Sequence, residues 1–149
     1  MANILMDTNV LVYAYDRADP AKQRRAIDLL DQICTARVGA ISAQTLSEFY
    51  NVATRKLAPP LTKMEAEVQL LSFVSQWPVL SVTEKVVLEA VRGVRMYQFH
   101  FWDAQIWAVT RINGLSLVFS EDFNASAVIE GVCFVNPFAV DFEPTMWGL

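Results

Sequence analysis

Two rhythms of apolar residues alternate along the chain. A short continuous run, Ile4-Leu5-Met6, predicts a strand buried on both faces of a parallel sheet. Asp19-Pro20 marks a helix start, a cap residue followed by proline at the first helical position, and Ala26, Leu29, Leu30 and Ile33 then recur at helical spacing. Val38 to Ile41 reads as a second strand, with Ser42 as the cap of a helix from about Ala43 to Lys56. Pro59-Pro60 breaks the chain, Thr62 and Glu65 form a capping box, and Ala66, Leu70, Phe73, Val74 and Trp77 make a stripe that Pro78 ends. Val79 to Val82 predicts a third strand, followed by a helix that Thr83 caps and on which Val87, Ala90, Val91 and Val94 share a face. From Phe101 to Ile112 the pattern is apolar nearly all round, with Trp102, Ile106 and Val109 on one side and Trp107 on the other, which predicts a buried helix. Asn113-Gly114 turns the chain into a strand from Leu115 to Phe119, and Gly131 turns it into a last strand from Val132 to Val135. The tail from Asp141 has no clear period.

Strands alternating with helices imply an α/β domain whose mainly parallel sheet is covered on both faces, with right-handed crossovers. The 149 residues suffice for one such core, so a single domain is expected. Apolar residues make up 54% of the chain, and the mean hydropathy of +0.28 is high for so small a chain, which points to a subunit or partner interface. No run approaches the roughly 18 to 20 apolar residues that span a bilayer. The chain opens directly on its first strand, without a basic region and an apolar leader, so the expected address is cytoplasmic. Cys34 and Cys133, far apart and among apolar neighbours, read as buried thiols of a reducing compartment. A net charge of −4 excludes the basic footprint of an ordinary nucleic-acid binder, unless local positive charge or bound cations supply it.

Three aspartates stand where a charge needs a reason. Asp7 follows the first strand directly, at the edge where open α/β sheets bind ligands, although capping the next helix would also explain it. Asp103 lies in the first turn of the apolar helix, where a cation or the helix dipole can answer it. Asp122 follows a late strand as Asp7 follows the first, with turn formation as the simpler role. Glu48 lies nearly opposite the stripe Leu46, Phe49, Tyr50 and Ala53, a position that periodicity assigns to solvent or to the side of an open cleft.

Taken in order, Asp7-Thr8-Asn9-Val10-Leu11, Leu46-Ser47-Glu48-Phe49, Phe101-Trp102-Asp103-Ala104 and Ser120-Glu121-Asp122-Phe123 resemble the PIN-domain family, and within it the VapC type of toxin from bacterial toxin–antitoxin pairs. The resemblance runs from Ile4 to Phe138. It implies a three-layer α/β/α fold and an acidic cluster binding Mg²⁺ or Mn²⁺. It further implies endoribonuclease activity on single-stranded RNA, a homodimer, and a small antitoxin that covers the cleft. By position, Asp7, Glu48 and Asp103 match the main acidic residues and Asp122 the fourth, where the family spacing favours Asp122 over Glu121. Asn9 and Ser120 match polar positions behind the acids, Ser120 keeping the hydroxyl of a more usual threonine.

The residue types agree with that chemistry. Carboxylates are hard oxygen ligands for Mg²⁺ or Mn²⁺, and the lone His100 and two scattered cysteines do not make a zinc site. A single histidine also excludes a paired-histidine, metal-free ribonuclease. Metal-assisted hydrolysis would leave a 5′ phosphate and a 3′ hydroxyl. Lys22, Gln23, Arg24 and Arg25 read as a solvated helix face, with phosphate binding the lesser reading; Arg24, Arg25, Arg55, Lys56, Arg92 and Arg95 have RNA phosphates, surface acids or an antitoxin as open partners. The alternative is a non-catalytic RNA-binding or protein-interaction module on the same fold. A receiver-type phosphoryl-transfer domain is disfavoured because Thr8 and Asn9, not a second acid, follow Asp7.

Overall fold

Among the described residues six strands build the sheet, in the order β3-β2-β1-β4-β6-β5. The computed structural model describes residues 1–123 and 127–149. β1 (Ile4–Met6) lies centrally, parallel to β2 (Gly39–Ser42) and to β4 (Leu117–Phe119); β3 (Val79–Leu80) extends one side and β6 (Val132–Val135) the other, all parallel. β5 (Val128–Ile129) adds an antiparallel edge, paired with β6 through the turn at Glu130 and Gly131, both at positive φ. Strand β5 is an addition to the sequence-based reading, which had only the turn. Its pairing with β6 is a tertiary contact that no local pattern announces.

Helices α1 (Thr8–Tyr13), α2 (Pro20–Ala36), α3 (Ala43–Arg55), α4 (Lys63–Gln76), α5 (Glu84–Tyr97) and α6 (Phe101–Ile112) complete the layers. Four starts are capped as the sequence implies, by Asp19, Ser42, Thr62 with Glu65 in a capping box, and Thr83. The pleat divides the sheet between two cores. Ile4, Met6, Ile41, Phe119 and Val135 face α1 to α4 together with Leu29, Ile33, Phe49 and Phe73. Leu5, Ala40, Val118 and Phe134 point the other way, onto Val86, Ala90, Ala104 and Trp107 of α5 and α6. This is the expected three-layer arrangement.

Gly93 lies inside α5, where a Cβ would stand 2.8 Å from Cζ3 of the fully buried Trp107. Its missing side chain is what lets the α6 indole pack against the α5 backbone. The buried positions of α5 are therefore Val86, Ala90 and Gly93, and Val91 is exposed, contrary to the face read from periodicity. Val74 of α4 is exposed as well. Cys34, expected to be buried, is exposed near the end of α2, where Leu29 and Ile33 take the inward positions; Cys133 is partly buried. The tail is tied down rather than loose: Arg25 donates to the carbonyls of Pro137, Ala139 and Phe142, and Pro144–Trp147 forms a 3-10 turn. Among the described residues no helix is long and apolar enough to cross a membrane.

Candidate active site

The carboxyl ends of β1 and β4 set the site. Asp7 follows β1 and its amide donates to the Phe119 carbonyl at 3.0 Å, while the amide of Ser120, just past β4, donates to the Val135 carbonyl at 3.0 Å. Parallel register thus carries Asp7 and Ser120 to the same sheet edge, and the Ser120 hydroxyl donates to Asp7 Oδ2 at 2.7 Å. The Thr8 amide donates to Asp7 Oδ1 at 2.8 Å, so Asp7 also caps α1. Capping and site membership, read as alternatives from sequence, coincide in one carboxylate.

Glu48 is drawn in by two residues that periodicity alone did not single out. Thr8 Oγ1 donates to Glu48 Oε2 at 2.7 Å, and Gln44, one turn earlier on α3, donates to Oε1 at 2.8 Å. Glu48 is consequently half-buried on the flank of α3, the cleft-side position rather than open solvent. Gln44 also donates to the Trp102 carbonyl at 3.1 Å and accepts from Gln105 at 2.8 Å, joining α3 to α6. No hydrophobic pattern marks such amides; their only sequence signal is that they are polar on faces that must be buried.

Asn9 organises the fourth acid. Its amide nitrogen donates to Ser120 Oγ and to Asp122 Oδ2, each at 3.1 Å, and its carbonyl oxygen accepts from the Glu121 amide at 3.3 Å. Neighbouring Glu121 turns elsewhere: Tyr13 and Lys22 each donate to one of its oxygens at 2.6 Å. The Lys22 end of the basic helix face is therefore used inside the protein, as is Arg25.

Electrostatics tie the four acids together. Asp7 is 6% exposed, and burial pushes its carboxyl up to about 6; the hydrogen bonds from Ser120 and Thr8 oppose the rise, and the charges of Glu48 and Asp122 add to it. The Asp103 carboxyl is raised first by burial, then by Asp122 and Glu48, against a lowering by His100. None of the four carboxylates takes part in an ion pair among the described residues, where Lys22 pairs with Glu121, and Arg92 and Arg111 with Glu89 and Glu130. The donors are all oxygen, which suits a hard cation such as Mg²⁺ or Mn²⁺. As they stand, no three acidic, His or Cys side chains among the described residues enclose a common point tightly enough to hold an ion, an arrangement that carboxylate repulsion opposes.

Two clefts flank the acids. One, of about 510 Å³, is lined by Glu48 and by Trp102, which is 62% exposed rather than buried as its place on an apolar helix suggested. The other, of about 250 Å³, is lined by Asp103, Asp122, His100 and Phe123.

The family profile of the PIN domain matches residues 4–130. The chain belongs to the PIN-domain family. Solved structures of the same fold include a chain of a toxin–antitoxin complex from Klebsiella pneumoniae, at 21% identity and a TM-score of 0.65, covering 92% of this chain and 99% of that one. VapC20 of Mycobacterium tuberculosis, a sarcin-ricin loop cleaving toxin, is 22% identical with a TM-score of 0.67, over 85% of this chain and 97% of that one. A chain of DNA-bound VapBC from Salmonella typhimurium is 19% identical with a TM-score of 0.62, over 90% of this chain and 97% of that one. At these identities the likeness is one of PIN fold. Curated protein sequences give no match.

Proposed function

We propose that this PIN domain is a Mg²⁺- or Mn²⁺-dependent endoribonuclease, acting as the toxin of a type II toxin–antitoxin system. The observation that carries the reading is the convergence of Asp7, Glu48, Asp103 and Asp122, coupled to one another and in no ion pair with Lys or Arg among the described residues, at the carboxyl edge of the sheet. Carboxylates this close repel one another, and a divalent cation held among them offsets that repulsion.

A bound Mg²⁺ or Mn²⁺ supplies Lewis acidity at the scissile phosphate and makes water a competent nucleophile near neutral pH. The protein's own share is orientation. Ser120 and the Thr8 amide fix both oxygens of Asp7; Thr8 and Gln44 fix both oxygens of Glu48; Asn9 steers Asp122. Asp103, in the first turn of α6, faces the neighbouring cleft beside His100. The carboxylates would hold the cation and not themselves attack phosphorus; water adds to phosphorus as the bond to the 3′ oxygen breaks, the 3′ oxygen takes up a proton, and the ends are a 5′ phosphate and a 3′ hydroxyl.

A small antitoxin and a second copy of the chain are the proposed partners, in the cytoplasm. The similar structures from Klebsiella pneumoniae and Salmonella typhimurium are themselves toxin–antitoxin assemblies. Met64, Val68 and Leu71 on α4 and Leu88 and Val91 on α5 are exposed apolar side chains at helical spacing, which fits surfaces buried in an assembly. The test is incubation of total bacterial RNA with antitoxin-free protein in Mg²⁺, in Mn²⁺ and in EDTA, beside Asp7→Asn and Asp103→Asn. Discrete fragments that need the metal and vanish in both variants are expected. Intact RNA in every lane, with binding still visible by gel shift, would favour the non-catalytic module instead.

A further inference from the structure

The larger cleft beside Glu48 differs in chemistry from the acids it adjoins. Among the described residues its lining contains no Lys or Arg, so it offers no positive charge to a phosphate or to an acidic peptide. One wall is the indole of Trp102, braced edge-on by Phe101 at 5.1 Å between ring centroids and 62% exposed. Trp102 sits one residue before Asp103, and a large exposed aromatic beside a site is an uncommon use of apolar surface. Carboxamides share the lining: Gln105, 5% exposed and one turn after Trp102 on α6, and Asn51 on α3. Asn51 is exposed and makes no side-chain hydrogen bond among the described residues, and Gln105 spends its nitrogen on Gln44, leaving Oε1 without a protein partner there. Val82 adds an apolar edge.

We infer that this cleft is a nucleobase subsite, which takes one unpaired base of the RNA strand, stacked on Trp102 and read at its edge by Asn51 and Gln105. A base is flat, uncharged and aromatic, with donors and acceptors only at its rim, and those are the features this lining answers; stacking on exposed aromatics is the general means of holding single strands. The inference rests on the ribonuclease reading for its consequence, because Glu48 is a wall of both the cleft and the acidic site. It also gives the subsite a route to that site. Gln105 bonds Gln44, Gln44 bonds Glu48 at 2.8 Å, and Glu48 is bonded by Thr8, so a base seated against Gln105 presses on the chain of contacts that orients a proposed metal ligand.

Neutral nucleosides test the subsite apart from catalysis, since they carry no phosphate for the acids to repel. The chain has four Trp, so its indole N–H signals are few, and Trp102→Phe assigns the relevant one. Adenosine, guanosine, cytidine and uridine are titrated in EDTA, with ribose and N-acetyl-phenylalaninamide as comparisons. At least one nucleoside is expected to shift the Trp102 signal saturably, ribose not at all, and Asn51→Ala to change the ranking among the four. In RNA cleavage, Trp102→Ala is expected to raise KM about tenfold while lowering kcat far less, and Trp102→Phe to restore most of the loss. Nucleosides that do no more than ribose overturn the inference. So does saturation by N-acetyl-phenylalaninamide alone, which assigns the cleft to a protein side chain. If nucleosides bind and the wild type cuts no RNA, the subsite stands and the ribonuclease reading falls; cleavage without nucleoside binding gives the reverse.

Discussion

Ser120 donates to Asp7 at 2.7 Å across 113 positions of sequence, joining the ends of β4 and β1. The bond does two things at once. It holds one oxygen of a carboxylate that is almost wholly buried, and it lowers a carboxyl that burial has raised. Ser120→Ala is expected to lift the Asp7 carboxyl further and to move the acid limb of the pH–rate profile to higher pH, while Ser120→Thr, which keeps the hydroxyl, leaves it in place. The profile of RNA cleavage between pH 5 and 8 reads the difference.

Asp7 also ties stability to pH. Burial pushes its carboxyl up to about 6 in the folded protein against an ordinary value of 3.8, so between those limits the folded state holds more proton than the unfolded one. Stability from this group is therefore full below 3.8 and is lost as pH rises through about 6, with a cost on the order of 3 kcal/mol above that. In EDTA, Asp7→Asn should be more stable than the wild type at pH 7.5 by up to that amount, and the advantage should shrink toward pH 4. Urea unfolding at both pH values measures it, and added Mn²⁺ should narrow the gap by stabilising the wild type alone.

Glu121 and Asp122 are adjacent, yet the structure separates them. Both Glu121 oxygens are held by Tyr13 and Lys22, and Asp122 is turned by Asn9 toward Asp7 and Asp103. Glu121→Gln is expected to keep cleavage within about threefold of wild type, whereas Asp122→Asn should lower it tenfold or more, roughly the loss of one charge-assisted contact. Equal losses in steady-state rates would contradict the division.

Gly93→Ala sets two effects against each other. Alanine favours a helix over glycine by about 1 kcal/mol, but overpacking a filled core costs roughly 1 to 3 kcal/mol. Trp107 is fully buried and has no room to yield its 2.8 Å approach, so the variant should lose stability. Thermal unfolding is expected to show a lower Tm with the far-UV circular dichroism of the folded state unchanged.

Hydrophobic period, caps and proline breaks were enough to place β1, β2, β3, β4, β6 and the helices α2 to α6, with β3 shorter than the Val79 to Val82 expected, because each buries a face whose spacing is local. Two-residue β5 escaped, since its pairing with β6 is a tertiary fact. The faces of α4 and α5 were read too wide at Val74 and Val91, because period assigns a stripe but not which edge of it the sheet covers. Asp7, Asp103 and Asp122 stood out as charges beside apolar segments. Glu48 did not, and only the likeness of ordered motifs singled it out; its inward turn depends on Thr8, 40 residues away, and on Gln44. Trp102 was misjudged for the same reason in reverse, as an apolar residue on an apolar helix that opens into a cleft.

The central claim is that the four carboxylates form one cation-dependent hydrolytic site. The rate of single-stranded RNA cleavage as a function of Mn²⁺, for EDTA-stripped wild type and Asp103→Asn, tests it most directly. No cleavage is expected without the cation, a saturable rise on adding it, and in the variant either no rate or a curve displaced to at least about tenfold higher Mn²⁺. Cleavage that persists in EDTA, or superimposable curves for the two proteins, would contradict it.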